Sequence, residues 1–432
     1  MGDTLLSLLE TPEFRELLRQ ASRAPLLRRQ LSGDMIPVGY SEDTVWDVLI
    51  AIRKGQANFS SVISCEPDGT HRNWHTETAS LRLSLEQLTN LTREGSELHT
   101  IIGERKNSRF ITQEYLEEVL VCLHYDGYDP DYESIRSVVL GERACSSEAE
   151  RLAVNYHQIM RDLDRFAERP FDPALLVDLY GQLTSGVQGE ECASAPARHL
   201  LPMARSAGDA EYVLGVTSAI ANDWLTEPTL HPIMVSMLVS CRFWCCLPFE
   251  RCNHLMSGIA GRLYLIKQGY PVFRYAKKIS IIDEWKRGGR MADLVDYTFE
   301  ESIVTNNKDT DWTAYYDAVM KMMLHSLERM HRTLRTMKDS DDEVLSQVDQ
   351  LTDLNYRQQM LLHQAVVSPV MDFFIAAHRR KHGIVYSTAR IDLEQLVERG
   401  FLMRRIDGAT NVYRAAPNLH DILREAASRR MI

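Results

Sequence analysis

Apolar residues recur at three- and four-residue steps along most of the chain, which is the period of an amphipathic α-helix. Near the N-terminus this repeat is formed by Leu5, Leu8 and Leu9 and continues with Phe14 and Leu17. The same period predicts further helices over 112–123, 146–163, 232–246, 255–269 and 312–337, and one that begins at Pro173. The pattern therefore predicts a mostly α-helical protein.

The C-terminal part of the chain departs from this pattern and carries the strand signals. Two runs, Phe401–Ile406 and Asn411–Ala415, have the composition of β-strands and flank Asp407-Gly408, a pair typical of hairpin turns. A helix predicted over Thr388–Arg399 precedes them and ends at Gly400. Helices followed by a two-stranded hairpin predict a small α+β domain of the winged-helix type.

Changes in composition along the chain predict its domain organisation. A run of charged residues at 338–343 predicts a linker, and residues 188–209 are rich in Ala, Ser, Gly and Pro, as loops are. We predict four regions: a helical N-terminal region over 1–109, a core over 110–275, a helical extension over 276–345 and a C-terminal domain over 355–432.

The overall composition is that of a soluble globular protein: of 432 residues, 44% are hydrophobic and 25% are charged. The net charge of −11 argues against wholesale coating of nucleic acid or of an anionic membrane, although residues 370–432 carry 11 basic and only 7 acidic residues. No apolar run reaches membrane-spanning length, and no secretory signal is visible. The eight cysteines show no framework spacing, which predicts reduced thiols in a cytoplasmic protein without membrane partners.

The segment from His231 to Pro271 contains the candidate chemistry. It predicts two buried helices joined by a short loop around Pro248 and Asn253. A loop that leads into a helix N-terminus is a natural anion site, because free backbone N–H groups and the helix dipole point at it. Glu250, Arg251, Asn253 and His254 lie in or next to this loop.

This segment resembles the motif of the Fic (Fido) family, His-Pro-Phe-x-Asp/Glu-Gly-Asn-Gly-Arg-x-x-Arg. Residues 247–258 align with the motif without a gap, and Pro248, Phe249 and Asn253 match it. The resemblance covers about residues 110–415 and is closest to long bacterial members with a C-terminal winged helix. It implies a mostly α-helical protein with a Fic-like helical core.

The resemblance also implies the roles of the remaining motif positions. Family members usually transfer AMP from ATP to a protein hydroxyl, with the motif His as general base and the motif acid on the phosphate-bound metal. Leu247 stands at the position of the base, and Arg251 stands at the position of the acid. Neither side chain can take over the role, which predicts that ATP and magnesium are not used and that no cofactor or metal is required.

The phosphate-binding positions of the motif differ as well. Cys252 and His254 replace the two motif glycines, and Leu255 and Gly258 replace the two motif arginines. These replacements predict a binding or regulatory pseudoenzyme that acts on a protein partner. The alternative is a diverged Fic-type transferase, in which Arg251, Asn253 and His254 bind a phosphate-bearing ligand without a metal and modify a protein hydroxyl.

Many Fic proteins also carry an inhibitory helix with the pattern Ser/Thr-x-x-x-Glu-Gly/Asn, whose Glu pairs with the second motif Arg. Cys122, Asp126 and Gly127 lie where this pattern falls in the resemblance. They are interpreted either as a degenerate inhibitory motif or as a plain helix end.

Two further groups of residues have alternative interpretations. Cys241 and Cys245 are four residues apart on one helix face, which is compatible with a zinc site but also with small core residues. Ser387, Arg390, Arg404 and Arg405 lie on the predicted recognition helix and wing of the C-terminal domain, where they would contact DNA. The other interpretation of this domain is packing or homo-oligomerisation.

Overall fold

The computed structural model describes residues 2–61, 72–105, 109–188, 210–226, 230–281, 283, 309–349, 351, 353–407 and 410–428. Helices make up most of the described chain, which confirms the predicted mostly α fold class. The chain divides into two compact units. Unit 1 consists of Met1–Ser96 and Tyr115–Leu327, and unit 2 consists of Glu97–Glu114 and Glu328–Ile432.

The helices agree with the predicted periodicity and extend it. In chain order they are α1 (Gly2–Glu10), α2 (Pro12–Arg23), α3 (Glu42–Gly55), α4 (Ala79–Thr92), α5 (Glu97–Arg105), α6 (Arg109–Tyr125), α7 (Tyr132–Val139), α8 (Glu148–Arg161), α9 (Leu163–Ala167), α10 (Pro173–Leu183), α11 (Ala210–Thr226), α12 (Pro232–Cys246), α13 (Asn253–Lys267), α14 (Thr313–Asp349), α15 (Tyr356–Val367), α16 (Ile375–His382), α17 (Tyr386–Glu398) and α18 (Leu419–Ser428).

Side-chain caps and prolines determine where many of these helices begin. The Ser147 hydroxyl accepts a hydrogen bond from the backbone N–H of Glu150, as the predicted helix start requires, and Asp172 caps α10 in the same way. Pro173 and Pro232 occupy the first turn of α10 and α12, where no intrahelical N–H is needed. Local sequence thus determines where α8, α10 and α12 begin.

Helices α12 and α13 form the buried centre of unit 1. Every residue of α13 from Asn253 to Leu265 is buried. The Ser236 hydroxyl donates to the carbonyl oxygen of Gly261 at 2.9 Å, which brings the two helices into close approach. A Cβ atom at Gly261 would lie well inside van der Waals contact with the Ser240 hydroxyl, so this crossing requires glycine.

A three-stranded sheet in unit 1 was not predicted. Strands β1 (Asn58–Ser61) and β2 (Arg72–His75) are antiparallel, and β2 pairs in parallel with β3 (Asp309–Asp311). The prediction that strands occur only near the C-terminus is therefore wrong. These strands have three or four residues, which is too short for a visible alternation, and a buried ion pair of 2.7 Å between Arg53 and Asp311 supports the sheet from its surroundings.

The predicted linker at 338–343 is also wrong, because α14 continues through it to Asp349. Within unit 2, the Asp341 carboxylate is buried and lies 3.5 Å from Nε2 of His420. The helix then buries Val344 and Val348 in the core of unit 2. These tertiary contacts outweigh the local run of charged residues.

The C-terminal elements of unit 2 follow the predicted order. Helices α16 and α17 precede an antiparallel hairpin of β4 (Leu402–Asp407) and β5 (Thr410–Ala415), and Gly400 adopts a φ of +77° after α17. The predicted turn at Asp407-Gly408 extends outside the described residues. On α17 the apolar side chain of Ile391 is 54% exposed, while Asp392 beside it is buried.

Among the described residues, no helix combines the length and the apolar character that crossing a membrane requires.

Candidate functional site

The loop between α12 and α13 has a strained backbone at both of its ends. Leu247 has a φ of +43° and Cys252 has a φ of +60°, and among the described residues these are the non-glycine residues with positive φ. An L-residue in this left-handed region costs about 1–2 kcal/mol. Cys252 stands where the Fic motif has glycine. The backbone at this position has the left-handed conformation that favours glycine, although the residue is cysteine.

The side chain of Asn253 holds the loop closed. Its Oδ1 accepts a hydrogen bond from the backbone N–H of Phe249 at 3.0 Å, and its Nδ2 donates to the carbonyl oxygen of Phe249 at 2.7 Å. Both ends of the amide are therefore used within the loop. Asn253 offsets the backbone strain and has little capacity left for a ligand.

The ring of Phe249 anchors the same loop to the helices around it. It stacks on Tyr180 with ring centroids 4.0 Å apart and an interplanar angle of 3°, and it lies 6.2 Å from the ring of Phe243. Pro248 beside it is buried. The three motif positions that match the Fic pattern thus build the loop.

The N-terminus of α13 is occupied by the carboxylate of Asp126. Oδ1 of Asp126 accepts two hydrogen bonds from His254, one from its backbone N–H at 3.0 Å and one from its ring Nδ1 at 2.8 Å. Oδ2 accepts from the backbone N–H of Leu255 at 3.1 Å. The side chains of Asp126 and His254 are 3% and 2% exposed, so this anion is sealed inside unit 1.

This arrangement uses the groups that make a helix N-terminus an anion site. Backbone N–H groups in the first turn of α13 and the positive end of its dipole attract negative charge. Here the charge comes from the protein itself, on a residue 128 positions away in the sequence. A phosphate would have to displace a buried carboxylate that already makes three hydrogen bonds.

The other substituted motif positions lie around the same loop. Leu247 presents an apolar side chain at the position of the catalytic base, and Leu255 is fully buried. Arg251 is partly exposed at the surface of the loop, where its guanidinium lies 3.4 Å from the carboxylate of Glu250. Of the three residues predicted to bind a ligand, Asn253 and His254 are engaged in internal contacts, and Arg251 is the most accessible.

A second buried charge pair lies behind the loop, between Arg262 on α13 and Glu118 on α6. Nη2 of Arg262 is 3.3 Å from Oε1 of Glu118, and the same nitrogen donates to the carbonyl oxygen of Ala276 at 2.7 Å. The Arg262 guanidinium also contacts the hydroxyl of Tyr156 and the carbonyl oxygen of Gly258. Every one of these partners is inside unit 1.

The Glu118 carboxylate caps the helical turn that begins at residue 279. It accepts hydrogen bonds from the backbone N–H groups of Lys278, Ile279 and Ser280 at 2.9–3.0 Å, and from the Ser280 hydroxyl at 2.8 Å. Burial alone would raise the pKa of Glu118, but Arg262 and these N–H groups outweigh it and hold the pKa below its ordinary value.

Arg262 also explains the glycine at position 258. A Cβ atom added to Gly258 would lie 2.8 Å from Nη1 of Arg262 and 3.0 Å from the hydroxyl of Tyr156. The space beside the second arginine position of the motif is therefore filled by an arginine from the next helical turn. The side chain of an arginine substituted at position 258 would clash with Arg262 and Tyr156.

Glu118 is not among the predicted site residues, although its place in the sequence indicates a buried partner. Glu118 lies on the apolar face of α6, together with Tyr115, Val119 and Cys122, where a carboxylate needs a buried partner. The identity of that partner, 144 residues away in the sequence, was not visible.

Cys122 and Gly127 take structural positions at the end of α6. Cys122 is a buried free thiol whose pKa is raised by burial and by the carboxylates of Glu118 and Asp126. Gly127 follows the helix with a φ of +93°, which favours glycine. Of the three residues interpreted as an inhibitory motif or a helix end, only Asp126 contacts the start of α13.

The cysteines near the loop differ in their bonding state. Cys241 and Cys252 are buried and are not disulfide-bonded, whereas Cys246 is disulfide-bonded, so the prediction that all eight cysteines are reduced is wrong at this position. Within the described part of the chain, no group of three His, Cys, Asp or Glu residues is arranged to hold a metal ion. The side chain of Cys245 lies outside the described set.

The four residues predicted to contact DNA fall into two classes. Ser387 and Arg390 are exposed on α17. Arg404 donates to the Glu394 carboxylate at 2.9 Å, and Arg405 donates to Asp372 at the same distance. The charges on the hairpin are thus paired within unit 2.

Comparison with known proteins finds similar chains among solved structures. No protein-family model matches the chain, and no curated protein matches it. Among solved structures, a Fic family protein from Desulfovibrio desulfuricans matches at 15% identity and a TM-score of 0.45, over 79% of this chain and 97% of that chain. A Fic domain containing signaling protein from Bacteroides thetaiotaomicron matches at 10% identity and a TM-score of 0.36, over 67% and 97%.

Proposed function

We propose that this chain is a Fic-like pseudoenzyme that acts by binding a protein partner and does not transfer AMP. The observation that carries the proposal is the buried Asp126 carboxylate at the N-terminus of α13. This carboxylate occupies the start of α13, which is where the resemblance to Fic proteins implies that a nucleotide phosphate would bind. The phosphate of a nucleotide could bind there only by displacing the buried, hydrogen-bonded carboxylate of Asp126.

The substitution at the base position supports the same proposal. Loss of a general base costs about 10²- to 10⁴-fold in rate, which alone would leave slow activity. Here the base is Leu247, the metal-binding acid is Arg251, and the phosphate site is filled. A cation at position 251 repels Mg²⁺, so the charge stabilisation that the metal supplies is absent as well.

The intact loop supports a binding role. Asn253 and Phe249 hold the loop in one conformation despite two strained residues. Strain of this kind persists only where surrounding contacts over-determine it, and it clusters at functional sites. We propose that the rigid loop, with Arg251 and Glu250 at its surface, is part of the surface that the protein partner contacts.

Nucleotide binding distinguishes this proposal from a diverged transferase. A ligand present at 100 times its dissociation constant raises the free energy of unfolding by about 2.7 kcal/mol. We expect ATP or AMP with Mg²⁺ to leave the denaturation midpoint unchanged relative to Mg²⁺ alone. Stabilisation by a phosphate-bearing metabolite that is lost in Arg251→Ala would support the transferase instead.

We propose that the C-terminal elements form a winged-helix domain used for packing and not for reading DNA. The support is the pairing of Arg404 with Glu394 and of Arg405 with Asp372, together with the exposed apolar side chain of Ile391 on α17. A helix that enters the major groove normally presents polar groups to base edges.

The full chain is therefore expected to show no salt-sensitive DNA binding in fluorescence anisotropy with mixed genomic fragments. A DNA-binding domain would lose affinity with salt at a log–log slope of about −0.9 per phosphate contacted. Such a slope, reduced in Arg405→Ala and accompanied by sequence preference that depends on Arg390, would contradict the proposal.

A further inference from the structure

The end of α16 and the start of α17 in unit 2 carry an excess of positive charge. The sequence has no acidic residue between Asp372 and Asp392. Both of these carboxylates have other cations as partners: Asp372 pairs with Arg405 and Arg414, and the buried Asp392 accepts hydrogen bonds from Arg357. The lysine and arginine residues in this interval are Arg379, Arg380, Lys381 and Arg390.

These four basic side chains are exposed to solvent. Among the described residues, none of them forms an ion pair or a side-chain hydrogen bond. One helical turn after Arg390, the carboxylate of Glu394 is already hydrogen-bonded to Arg404 and to the hydroxyl of Tyr413. The positive charge on this surface is therefore available to a partner, unlike the charge of the paired arginines on the hairpin.

Exposed apolar side chains lie among these cations. Val385 and Tyr386, at the start of α17, are 65% and 53% exposed. Tyr386 and Arg390 are four residues apart in α17, so their side chains are neighbours on the surface of the helix. Exposed apolar groups surrounded by polar residues are typical of interaction sites, and Tyr and Arg are enriched among the residues that dominate the binding energy of protein interfaces.

We propose that this surface, formed by the end of α16 and the start of α17, binds an acidic segment of a protein partner that also carries apolar side chains. The inference rests on the proposed use of this domain for contacts with protein. Carboxylates of the segment neutralise the four cations, and its apolar side chains cover Val385 and Tyr386. Duplex DNA offers phosphates to the cations, but the side chain of Val385 has no group that hydrogen-bonds a phosphate or a base edge.

The test is fluorescence anisotropy of three labelled probes with the full chain at about 0.15 M salt, where charges more than about 8 Å apart are largely screened. The first probe is a peptide of Glu and Asp interrupted by leucines, the second has serine in place of each leucine, and the third is a DNA duplex of mixed sequence. We expect the first peptide to bind with a dissociation constant below about 1 mM, and the second to bind at least about tenfold more weakly. The duplex should not bind.

Charge-reversal variants locate the binding surface. Arg380→Glu combined with Lys381→Glu should weaken binding of the first peptide at least about tenfold, because two attractions become repulsions. The control is Arg329→Glu combined with Arg332→Glu, which makes the same change of charge at exposed residues of α14 in the same unit. It should change the affinity by less than about threefold, because salt screens charges outside the site.

A variant of the apolar residues separates this proposal from simple charge attraction. Val385→Ser combined with Tyr386→Ser should weaken binding of the first peptide and leave that of the second unchanged, and serine at position 385 is a favourable helix N-cap. Equal binding of the two peptides, or binding of neither, would overturn this inference and leave the proposed function as it stands. Binding of the duplex in preference to the first peptide would contradict the proposed role of the domain as well.

Discussion

Replacing Glu118 by Gln is expected to lower the free energy of unfolding by about 3–5 kcal/mol. The substitution keeps the volume of the side chain but removes the charge that compensates the buried Arg262 guanidinium. Breaking a buried ion pair from one side is costly because the remaining charge stays in the interior without a partner. The new amide would also point N–H groups at backbone N–H donors of residues 278–280. Urea denaturation measures the change.

A surface carboxylate provides the control for this variant. Glu133 pairs with Arg136, but its side chain is 69% exposed. The Glu133→Gln variant should change the free energy of unfolding by less than about 1 kcal/mol, because exposed ion pairs are weak. A loss of similar size in both variants would show that the Glu118 pair contributes no more than a surface contact.

The contribution of Glu118 to the free energy of unfolding is expected to decrease as the solution becomes acidic. The pKa of Glu118 is lower in the folded chain than its ordinary value, so the folded state favours the ionised form. Its contribution to stability is therefore fully present above about pH 4.3, the ordinary pKa of Glu, and is lost as the pH falls below that value toward the folded pKa. The difference in stability between wild type and Glu118→Gln should shrink over that acidic range.

Replacing Asp126 by Ala is expected to cost about 2–4 kcal/mol of stability. The variant leaves the N–H groups of His254 and Leu255, together with Nδ1 of the His254 ring, buried without their acceptor. Each unsatisfied buried donor costs about 1–3 kcal/mol, and local relaxation recovers part of the sum. Asp129 in the same turn is fully exposed, so Asp129→Ala should change stability by about 0.5 kcal/mol or less.

Added formate is expected to restore part of the stability that the Asp126→Ala variant loses. The substitution removes a carboxylate from an anion-binding helix end, and formate supplies a carboxylate of the same size. Formate should therefore raise the denaturation midpoint of Asp126→Ala more than chloride does at equal ionic strength, and should not do so for wild type. Equal responses of the two proteins would mean that the helix end is not an anion site.

The helices and the central loop were predictable because their signals are local. The apolar runs of α12 and α13, the proline at the start of α12 and the caps at Ser147 and Asp172 all lie within a few residues of the structure they specify. The motif register was visible for the same reason. The residues that depart from the motif, such as Leu247 and Arg251, could be identified directly against it.

The features that were missed depend on partners far away in the sequence. The contact of Asp126 with the start of α13 spans 128 residues, and that of Glu118 with Arg262 spans 144. No periodicity or spacing in a single sequence encodes such a pairing. On α17, the apolar Ile391 is exposed and the charged Asp392 is buried, which is the reverse of what their hydrophobicity predicts. Asp392 is buried because it accepts hydrogen bonds from Asn355 and Arg357 in unit 2.

The proposal that the chain is a pseudoenzyme is tested most directly by AMP transfer. Purified full-length protein is incubated with ATP labelled at the α-phosphate, with Mg²⁺ and with a cell lysate, and the labelled proteins are separated on a gel. The account predicts no labelled band above that of lysate alone, for the chain itself or for any lysate protein. A band that depends on the wild-type chain and disappears with Asn253→Ala would contradict it.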